Sequence, residues 1–362
     1  MKEAQEFVWM GAIPLQIHLH ESEVTTVPPP PPALILAPRI GYLPLLLPLI
    51  KPYFSSTLPP GVDTVWFEYK GLPLKWYIPT GVLFDLLCAE PERPWNLTIH
   101  FRGYPSHLLI PCEGEDSVKW NFINSLKEAD YIINGNCKNV MHMSQSDQLE
   151  LWNSVVNANL EAFIRSSSKL KSGTIEDDYA SKSSSSSQKS QKMIGEADTS
   201  VQTKTGKVPV RLYVWNVSAD FGDMEDAPPI DSWDRISYVN RPLEIHREEG
   251  KCFTLHDAIK TLLPELFGKK RKPSEGENDE QSFGSEEETK NNRMTEEGEG
   301  NLSLPLETVS TADDDPEIKL LRIQGIEPKL ETPISWVANH LRHPENFLHV
   351  CVYVKIPSAK SL

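Results

Sequence analysis

The sequence predicts an α+β protein in which two ubiquitin-like β-grasp domains flank a helix-rich domain, with two disordered inserts. Three observations lead to this fold class. One pattern of strands, turn and helix occurs twice, an amphipathic helical block lies between the two copies, and two polar segments contain too few apolar residues to fold. The rest of the 362-residue chain, with nine Trp and twelve Phe, can build sizeable cores.

The repeated pattern begins at Trp66 and again at Leu321. Each copy reads as a strand, a glycine-centred turn, a short extended piece, a helix that opens near a proline, and a final strand. The final strands are predicted at 94–101 and 347–354, and the second alternates apolar residues with period two. Three positions match at a constant offset of 254: Gly71 with Gly325, Pro79 with Pro333, and Leu87 with Leu341.

Two further extended pieces and a helix precede each copy, which completes the ββαββ order of a β-grasp domain. We therefore predict these domains at residues 1–105 and 207–362. The five prolines at 28–32 favour a stiff connection between two strands over a docking site for an SH3 or WW module. The extended pieces are 13–20, 34–40, 208–217 and 236–246, and the helices are 42–54 and 253–267.

The middle domain, residues 112–165, is predicted to contain two long helices. The first begins near Asp116 and stops at Gly135, and the second begins at Ser144 or Ser146. Phe122, Leu126, Ala129 and Ile133 recur at helical spacing and predict the core-facing side of the first helix. Lys127 falls on the opposite side, where we expect it to be exposed between Trp120 and Tyr131. Outward aromatic residues are typical of contact surfaces.

The two inserts are a serine-rich linker at 166–206 and an acidic segment at 269–315. Neither contains enough large apolar residues to offset the ordering entropy of its backbone. Residues 274–315 hold 14 acidic and 2 basic residues, a net charge of −12, so the remaining chain carries only −3 of the total −15. The acidic insert opens with KKRK at 269–272, which suits the end of a helix better than a nuclear import signal.

Composition excludes several classes of function. The folded parts have no excess of Lys and Arg, so no nucleic-acid partner is expected. The five cysteines show no zinc-ligand spacing and indicate a reducing compartment. We expect neither a signal peptide nor a spanning helix, because the apolar run at 33–50 is interrupted by three prolines and Arg39.

Five segments carry a resemblance to a known family. They are WFEYKGLPLKWYIPTGVLFDLL (66–87), PWNLTIHF (94–101), SLKEAD (125–130), QLELWNSV (148–155) and GIEPKLETPISWVANHLRHPENFLHV (325–350). Together they resemble the autophagy protein 5 family, and its plant members in particular. The family has two ubiquitin-like domains around a helix-rich domain, in agreement with the repeat. The serine-rich and acidic inserts depart from its compact members.

The resemblance implies a function as a covalently modified scaffold rather than an enzyme, without cofactor or metal. The family accepts the ubiquitin-like autophagy protein 12 through an isopeptide bond to a lysine, which matches Lys127. With a helix of autophagy protein 16 in a groove, the conjugate promotes attachment of another ubiquitin-like protein, through its conjugating enzyme, to phosphatidylethanolamine. This implies a cytoplasmic protein recruited peripherally to the phagophore membrane.

Two other classes of function remain open at this stage. One is an interaction scaffold that is never conjugated. The other is a cysteine enzyme, because HPENFLHVC at 343–351 resembles the site of ubiquitin-conjugating enzymes, although its Asn and Cys are out of register. Cys351 lies in an alternating strand where cysteine is usually a small buried residue. His340 and His343, three apart, lack a third metal ligand nearby in sequence and are expected to lie on a surface that faces solvent or a partner.

Overall fold

The computed structural model describes residues 2–58, 64–170, 206–218, 229–245, 252–268 and 316–356. The predicted acidic insert at 269–315 and most of the predicted serine-rich linker lie outside these residues. Within the described ranges the chain forms one sheet at each end and a helical bundle between them, which confirms the predicted fold class.

The first sheet has the strand order of a ubiquitin-like β-grasp domain, β2-β1-β5-β3-β4, with β1 parallel to β5 and antiparallel to β2. The five prolines connect β1 to β2, as predicted. Helix α1 was not predicted from the sequence, and it packs on the helical bundle. The elements are α1 (Lys2–Met10), β1 (Ala12–Leu19), β2 (Ala33–Pro38), α2 (Leu47–Phe54), β3 (Trp66–Tyr69), β4 (Leu72–Pro73), α3 (Thr80–Leu87) and β5 (Trp95–His100).

The helical bundle contains the two predicted helices, but the first starts one residue before Asp116 and the second is divided into two. The first is α4 (Glu115–Asn134), which begins just before Asp116 and ends at Gly135 in the left-handed conformation, with φ 71°. The second is divided, because the Asn159 side chain accepts a hydrogen bond from the Ala162 amide and starts a new helix. The remaining helices are α5 (Lys138–Met141), α6 (Gln145–Val156) and α7 (Leu160–Ser167).

The start of the serine-rich linker was placed too early. Residues 166–170 are helical: α7 runs to Ser167, and a 3₁₀ turn continues to Leu170. Ser166 donates a hydrogen bond to the carbonyl of Ala162 at 2.9 Å, which satisfies its hydroxyl inside the bundle. Leu170 is 1% exposed and belongs to the core. The helical structure therefore continues through the run of serines, because Leu170, the apolar residue that follows, is buried in the core.

The second sheet has the order β7-β6-β9-β8 and lacks a full counterpart of β4. In its place Ile323 and Ile326 form a single bridge across the turn. The predicted helix at 253–267 is divided at Pro264, which has no amide hydrogen to continue the hydrogen-bond ladder. The elements are β6 (Lys207–Ser218), β7 (Ile236–Glu244), α8 (Leu255–Leu262), α9 (Pro264–Phe267), β8 (Glu317–Arg322), α10 (Ile334–His340) and β9 (Leu348–Ile356).

The repeat predicted from the sequence is visible in the backbone. Gly71 and Gly325 occupy the same place in the turn after the third strand of each domain, with φ 83° and 75°. The preceding residue also has positive φ in both copies, as type I′ turns require, and this favours glycine at the second position. Pro79 and Pro333 each precede the helix that follows. The offset of 254 therefore reflects two copies of one turn and helix.

The hydrophobic cores cross the domain boundaries. The inner face of the second sheet packs on α8 and shares one core with the helical bundle and with Trp9 of α1. The outer face of the same sheet shares the other core with the first domain, through residues such as Cys351 and Tyr353. As predicted, β9 alternates, but neither of its faces is exposed to solvent. Its seven residues from Leu348 to Val354 are all buried.

Buried polar groups join the two β-grasp domains directly. Arg39 forms an ion pair with Asp85 of α3 at 2.5 Å, and the other oxygen of Asp85 accepts a hydrogen bond from the Gly325 amide at 2.8 Å. Arg322 donates to the carbonyls of Cys88 and Ala89, which are freed at the end of α3. The second domain therefore supplies hydrogen-bond donors to the carbonyl groups at the C-terminal end of α3 in the first domain.

The two equivalent glycines provide a matched test of this interface. Alanine at either position costs about 1–2 kcal/mol because φ is positive. A Cβ at Gly71 meets nothing within 4 Å, whereas one at Gly325 lies 2.6 Å from the Arg39 guanidinium carbon. Since displacing Arg39 weakens the Asp85 pair, we expect Gly325→Ala to lower the free energy of unfolding at least about 1 kcal/mol more than Gly71→Ala. Urea denaturation of both variants measures the difference, and equal losses contradict the interpretation.

Candidate functional site

Lys127 lies on α4 in a line of outward-facing residues. It follows Trp120 by seven positions and precedes Tyr131 by four, which places all three within about 40° around the helix axis. Trp120 is 65% exposed and Tyr131 63% exposed, as predicted. Lys127 is only partly exposed, which corrects the expectation of full exposure. Among the described residues, its amine makes no hydrogen bond or ion pair.

The opposite side of α4 is fixed in the core. Phe122, Leu126, Ala129 and Ile133 are each at most 9% exposed, which confirms the predicted core-facing stripe. The start of the helix is also fixed, because the indole of Trp152 on α6 donates to a Glu115 carboxylate oxygen at 2.7 Å. The line of Trp120, Lys127 and Tyr131 is therefore presented on a rigid element.

Two neighbours of Lys127 are held by the second β-grasp domain. Arg211 of β6 donates to the Ser125 hydroxyl at 3.1 Å and to Glu128 Oε2 at 2.9 Å. Asn240 of β7 donates to the other oxygen of Glu128 at 2.8 Å. Both carboxylate oxygens beside Lys127 are therefore occupied, and the position of α4 is tied to the second sheet.

The other end of the Arg211 guanidinium reaches the wholly buried carboxylate of Glu345, with Nη1 2.6 Å from Oε1. His349 Nε2 lies 2.8 Å from the same oxygen, and the Tyr42 hydroxyl donates to Oε2 at 2.8 Å. Burial alone would raise the pKa of Glu345, but the charge of Arg211 and the hydrogen bond from His349 hold it below its ordinary value. Glu345 therefore stays ionised, and its contacts join the two β-grasp domains, whereas the helical bundle is linked to it through Arg211.

The two histidines beside Glu345 are neutral at pH 7. His343 Nε2 lies 3.0 Å from the carbonyl of Ile40, so this nitrogen carries the proton, and Nδ1 accepts from the Glu345 amide. His349 donates from Nε2, which leaves Nδ1 to accept from the Tyr213 hydroxyl at 3.3 Å. Burial lowers the pKa of His343 to about 4 and lowers that of His349 as well.

His343, Glu345 and His349 also meet the geometric requirement for a metal site, since their ligand atoms lie within 4.8 Å of one another. They do not fit a metal ion, because the free nitrogen of each histidine already accepts a hydrogen bond and Arg211 already neutralises the carboxylate. We refer to Tyr42, Arg211, His343, Glu345 and His349 as the buried ionic cluster.

A groove lies between α1, α7, α10 and the loop that follows α10. Its volume is about 360 Å³. The rings of Trp9 and Phe163 lie in its wall, tilted to each other with centroids 4.7 Å apart, and Gln5 donates to the carbonyl of Asn339 across it. Ile164, which is 42% exposed, lines its edge. One groove therefore has walls from all three domains.

Comparison with known families assigns the chain along most of its length. Three family models match: the UblA domain of autophagy protein ATG5 at residues 8–101, its alpha-helical bundle region at 115–173, and its UblB domain at 207–352. The chain belongs to the autophagy protein 5 family. This confirms the resemblance drawn from the five segments.

Relatives of the same name support the family assignment along the whole chain. Autophagy protein 5 of Arabidopsis thaliana is 62% identical over 98% of this chain and 99% of its own. Autophagy protein 5 of Oryza sativa subsp. indica is 55% identical over 97% and 94%. The crystal structure of Kluyveromyces marxianus Atg5 matches with a TM-score of 0.60 at 20% identity, over 97% of this chain and 99% of that one. The last comparison shows the shared fold.

In this member of the autophagy protein 5 family, the cysteine proposed as an alternative nucleophile is buried. Cys351 is 2% exposed, its sulfur lies 3.7 Å from the carbonyl of Val82, and burial raises the pKa of its thiol well above the ordinary value. A nucleophilic cysteine needs the thiolate and access to substrate. Cys351 has neither, so it is a core residue of the domain interface.

The expectation that His340 and His343 lie on a surface that faces solvent was wrong, although both line the groove. Both are buried, at 6% and 1% exposure, rather than on a surface. His340 ends α10 and stacks on Trp336 with ring centroids 4.7 Å apart, whereas His343 belongs to the buried ionic cluster.

Within the described ranges, no helix has both the length and the apolar character needed to cross a membrane.

The pKa shift of His343 predicts how stability depends on pH. Between pH 6.5 and about 4 the unfolded chain gains a proton on this residue that the folded chain excludes, so stability falls as pH decreases. From pH 7 to 5 this one group accounts for about 2 kcal/mol, and His349 acts in the same direction. We expect His343→Gln, which can still donate to Ile40, to reduce the loss measured by urea denaturation. The exposed His107→Gln serves as control, and an unchanged pH dependence in His343→Gln contradicts the assignment.

Proposed function

We propose that Lys127 accepts the ubiquitin-like autophagy protein 12 through an isopeptide bond. The observation that carries this proposal is the arrangement on α4: one lysine without a competing ion pair among the described residues, flanked by two exposed aromatic rings on a fixed helix. An isopeptide acceptor must reach another enzyme's active site without unfolding, and this arrangement meets that requirement. Trp120 and Tyr131 offer apolar area for the incoming proteins.

The reaction joins the Nζ atom of Lys127 to the carbonyl carbon of a thioester. An amide bond forms and the thioester bond breaks. The proton that the amine loses passes to the sulfur of the conjugating enzyme's cysteine through solvent or the enzyme, and the cysteine leaves as the thiol. Only the neutral amine attacks a thioester, so a base must accept a proton from the amine as the amide bond forms. Glu128, the adjacent carboxylate, is engaged by Arg211 and Asn240 and is not free to act as the base. Activation of the amine is therefore assigned to the conjugating enzyme.

The conjugate, together with autophagy protein 16, then acts as an E3-like factor. It promotes transfer of a second ubiquitin-like protein from its conjugating enzyme to phosphatidylethanolamine during autophagosome formation. This role places the protein in the cytoplasm and, by peripheral recruitment, at the phagophore membrane. The family assignment supports the proposal, and the chain itself serves as a scaffold in it.

The groove is the proposed receptor for the helix of autophagy protein 16. Its apolar walls suit the apolar face of an amphipathic helix, which anchors through residues spaced by three and four positions. Exposed apolar side chains at its edge, Ile164 and Trp336, extend the contact area beyond the cavity. Because all three domains form the walls, the isolated second domain should bind much less well than the full chain.

The alternative function is a scaffold that is never conjugated. The two differ in a simple observation: an isopeptide-linked product survives reduction and denaturation and appears as a larger species on a gel, whereas a noncovalent complex does not. The burial of Cys351 argues against the third possibility, a cysteine enzyme.

The acceptor is tested by Lys127→Arg, which keeps the positive charge but removes the amine. In a reconstituted conjugation reaction we expect loss of the autophagy protein 12 conjugate and of stimulated lipidation. The melting temperature should be nearly unchanged, since surface substitutions alter stability by about 0.5 kcal/mol or less. Lys119→Arg on the same helix and Lys138→Arg on α5 are the matched controls. A full yield of conjugate from Lys127→Arg refutes the acceptor assignment.

The groove is tested by Ile164→Asp, which places a charge on its apolar edge. We expect binding of a synthetic peptide of the autophagy protein 16 helix to weaken at least about tenfold, because the carboxylate must be desolvated on docking. Leu149→Asp is the control, since Leu149 is similarly exposed, at 48%, on α6 and does not line the groove. Isothermal titration calorimetry measures both. Equal affinities for the two variants place the binding site elsewhere.

A further inference from the structure

Arg342 follows α10 in the loop that leads to Glu345 and lines the groove. Arg342 is partly buried, and its Nε atom is shielded from solvent without a hydrogen-bond partner in the described structure. Burial lowers the pKa of its guanidinium to about 10, which leaves the group charged at neutral pH. A buried charge without a partner is costly, so its presence here calls for an explanation.

Other buried arginines of this protein are paired with carboxylates. Their nitrogens lie 2.5–3.0 Å from carboxylate oxygens, in the pairs Arg39 with Asp85, Arg211 with Glu345 and Arg322 with Glu327. For Arg342, no hydrogen bond or ion pair occurs within the part of the chain that the structure describes. Arg342 therefore differs from these three arginines in having no carboxylate partner among the described residues, and it lies in the lining of a groove.

The described lining of the groove contains no Asp or Glu that could neutralise Arg342. Apart from Arg342, its polar members are amides, two serines, and the rings of His340 and His343. The ring of His343 is already engaged with Ile40 and is neutral at pH 7. The groove thus presents one cation without a carboxylate partner in its described lining, beside apolar side chains, and it is complementary to a partly apolar surface that carries a single negative charge.

We propose that Arg342 receives a carboxylate from the helix that docks in the groove. An Asp or Glu on the inward side of that helix supplies the missing partner, in a charge-assisted hydrogen bond that excludes water when the complex forms. This inference rests on the proposed function of the groove and specifies which helices it selects. Apolar anchors supply contact area, and the carboxylate fixes the register of the helix along the groove.

A helix is a better occupant than a free anion such as inorganic phosphate. Apolar side chains share the groove lining with Arg342, among them Trp9, Phe163 and Ala338, and the rings of Trp9 and Phe163 contact each other at a tilt. A strongly hydrated anion gains nothing from these walls, whereas the apolar face of a helix covers them. The edge residues Ile164 and Trp336 continue the apolar surface outward.

The experiment measures binding of the autophagy protein 16 helix peptide to the full-length protein and its variants. We expect Arg342→Gln to weaken binding at least about tenfold, which is about 1.4 kcal/mol, and to leave the melting temperature of the free protein unchanged or higher. Arg165→Gln is the matched control, because Arg165 is exposed on α7 and pairs with Glu150 outside the groove.

The second arm replaces each Asp and Glu of the peptide by its amide, one at a time, against the wild-type protein. One replacement should reproduce the loss seen with Arg342→Gln, and combining the two should cause no further loss, as expected for two partners of one interaction. The single amide replacements themselves are measured on the wild-type protein, so a loss of at least about tenfold from one of them still tests the inference if Arg342→Gln folds poorly.

Three outcomes overturn the inference. If the wild-type protein binds the peptide but neither Arg342→Gln nor any amide replacement changes the affinity by more than twofold, the carboxylate pair is wrong and the groove proposal stands. If the effects of the two sides are additive, Arg342 and the carboxylate do not meet. If the wild-type protein does not bind the peptide, the groove proposal itself fails, together with the inference that rests on it.

Discussion

The ion pair between Glu345 and Arg211 determines how the three domains are placed. A buried carboxylate is tolerated only where opposite charge and hydrogen-bond donors surround it, and the donors to Glu345 come from different domains. Arg211 in turn binds Ser125 and Glu128 of α4. Removing one partner of such a pair typically costs about 3–5 kcal/mol, because the other charge is left buried. Because Arg211 binds both Glu345 and α4, a shift of the helix that carries Lys127 would disrupt this ion pair and destabilise the fold.

The same buried ion pair explains why each hydrophobic core contains residues of more than one domain. The second sheet is covered on its inner face by its own helix and the helical bundle, and on its outer face by α3 of the first domain. A β-grasp sheet normally keeps one face open for partners. Here that face is used internally, through Tyr353 and the Arg322 contacts with the end of α3. Recognition of partners is left to the outward side of α4 and to the groove.

The sequence predicted the repeating elements well because their signals are local. Glycine at 71 and 325, proline before each helix, and alternation in β9 all act within a few residues. Lys127 was found through a short segment on one helix. By contrast, Arg211, Tyr42 and Glu345 are separated by up to 303 positions, and a lone Glu in a strand-end loop carries no local sign of being buried. His343 was misplaced for the same reason. The position of Arg342 in a groove lining whose described residues include no carboxylate likewise has no local signal in the sequence, because it depends on which residues the fold brings near it.

The burial of α3 has a consequence for the way the chain is made. All eight residues of this helix are buried, and part of their cover is β9, the last described strand. About 260 residues separate the two elements, so at ribosomal rates of about 5–20 residues per second α3 waits on the order of 10 to 60 seconds for its cover. During that interval the nascent first domain exposes an apolar helix, and Asp85 on that helix is paired with Arg39 but lacks the hydrogen bond from the Gly325 amide. Chaperone binding to newly synthesised chains should therefore concentrate on this helix, and chains truncated before β9 should be cleared by proteolysis rather than accumulate.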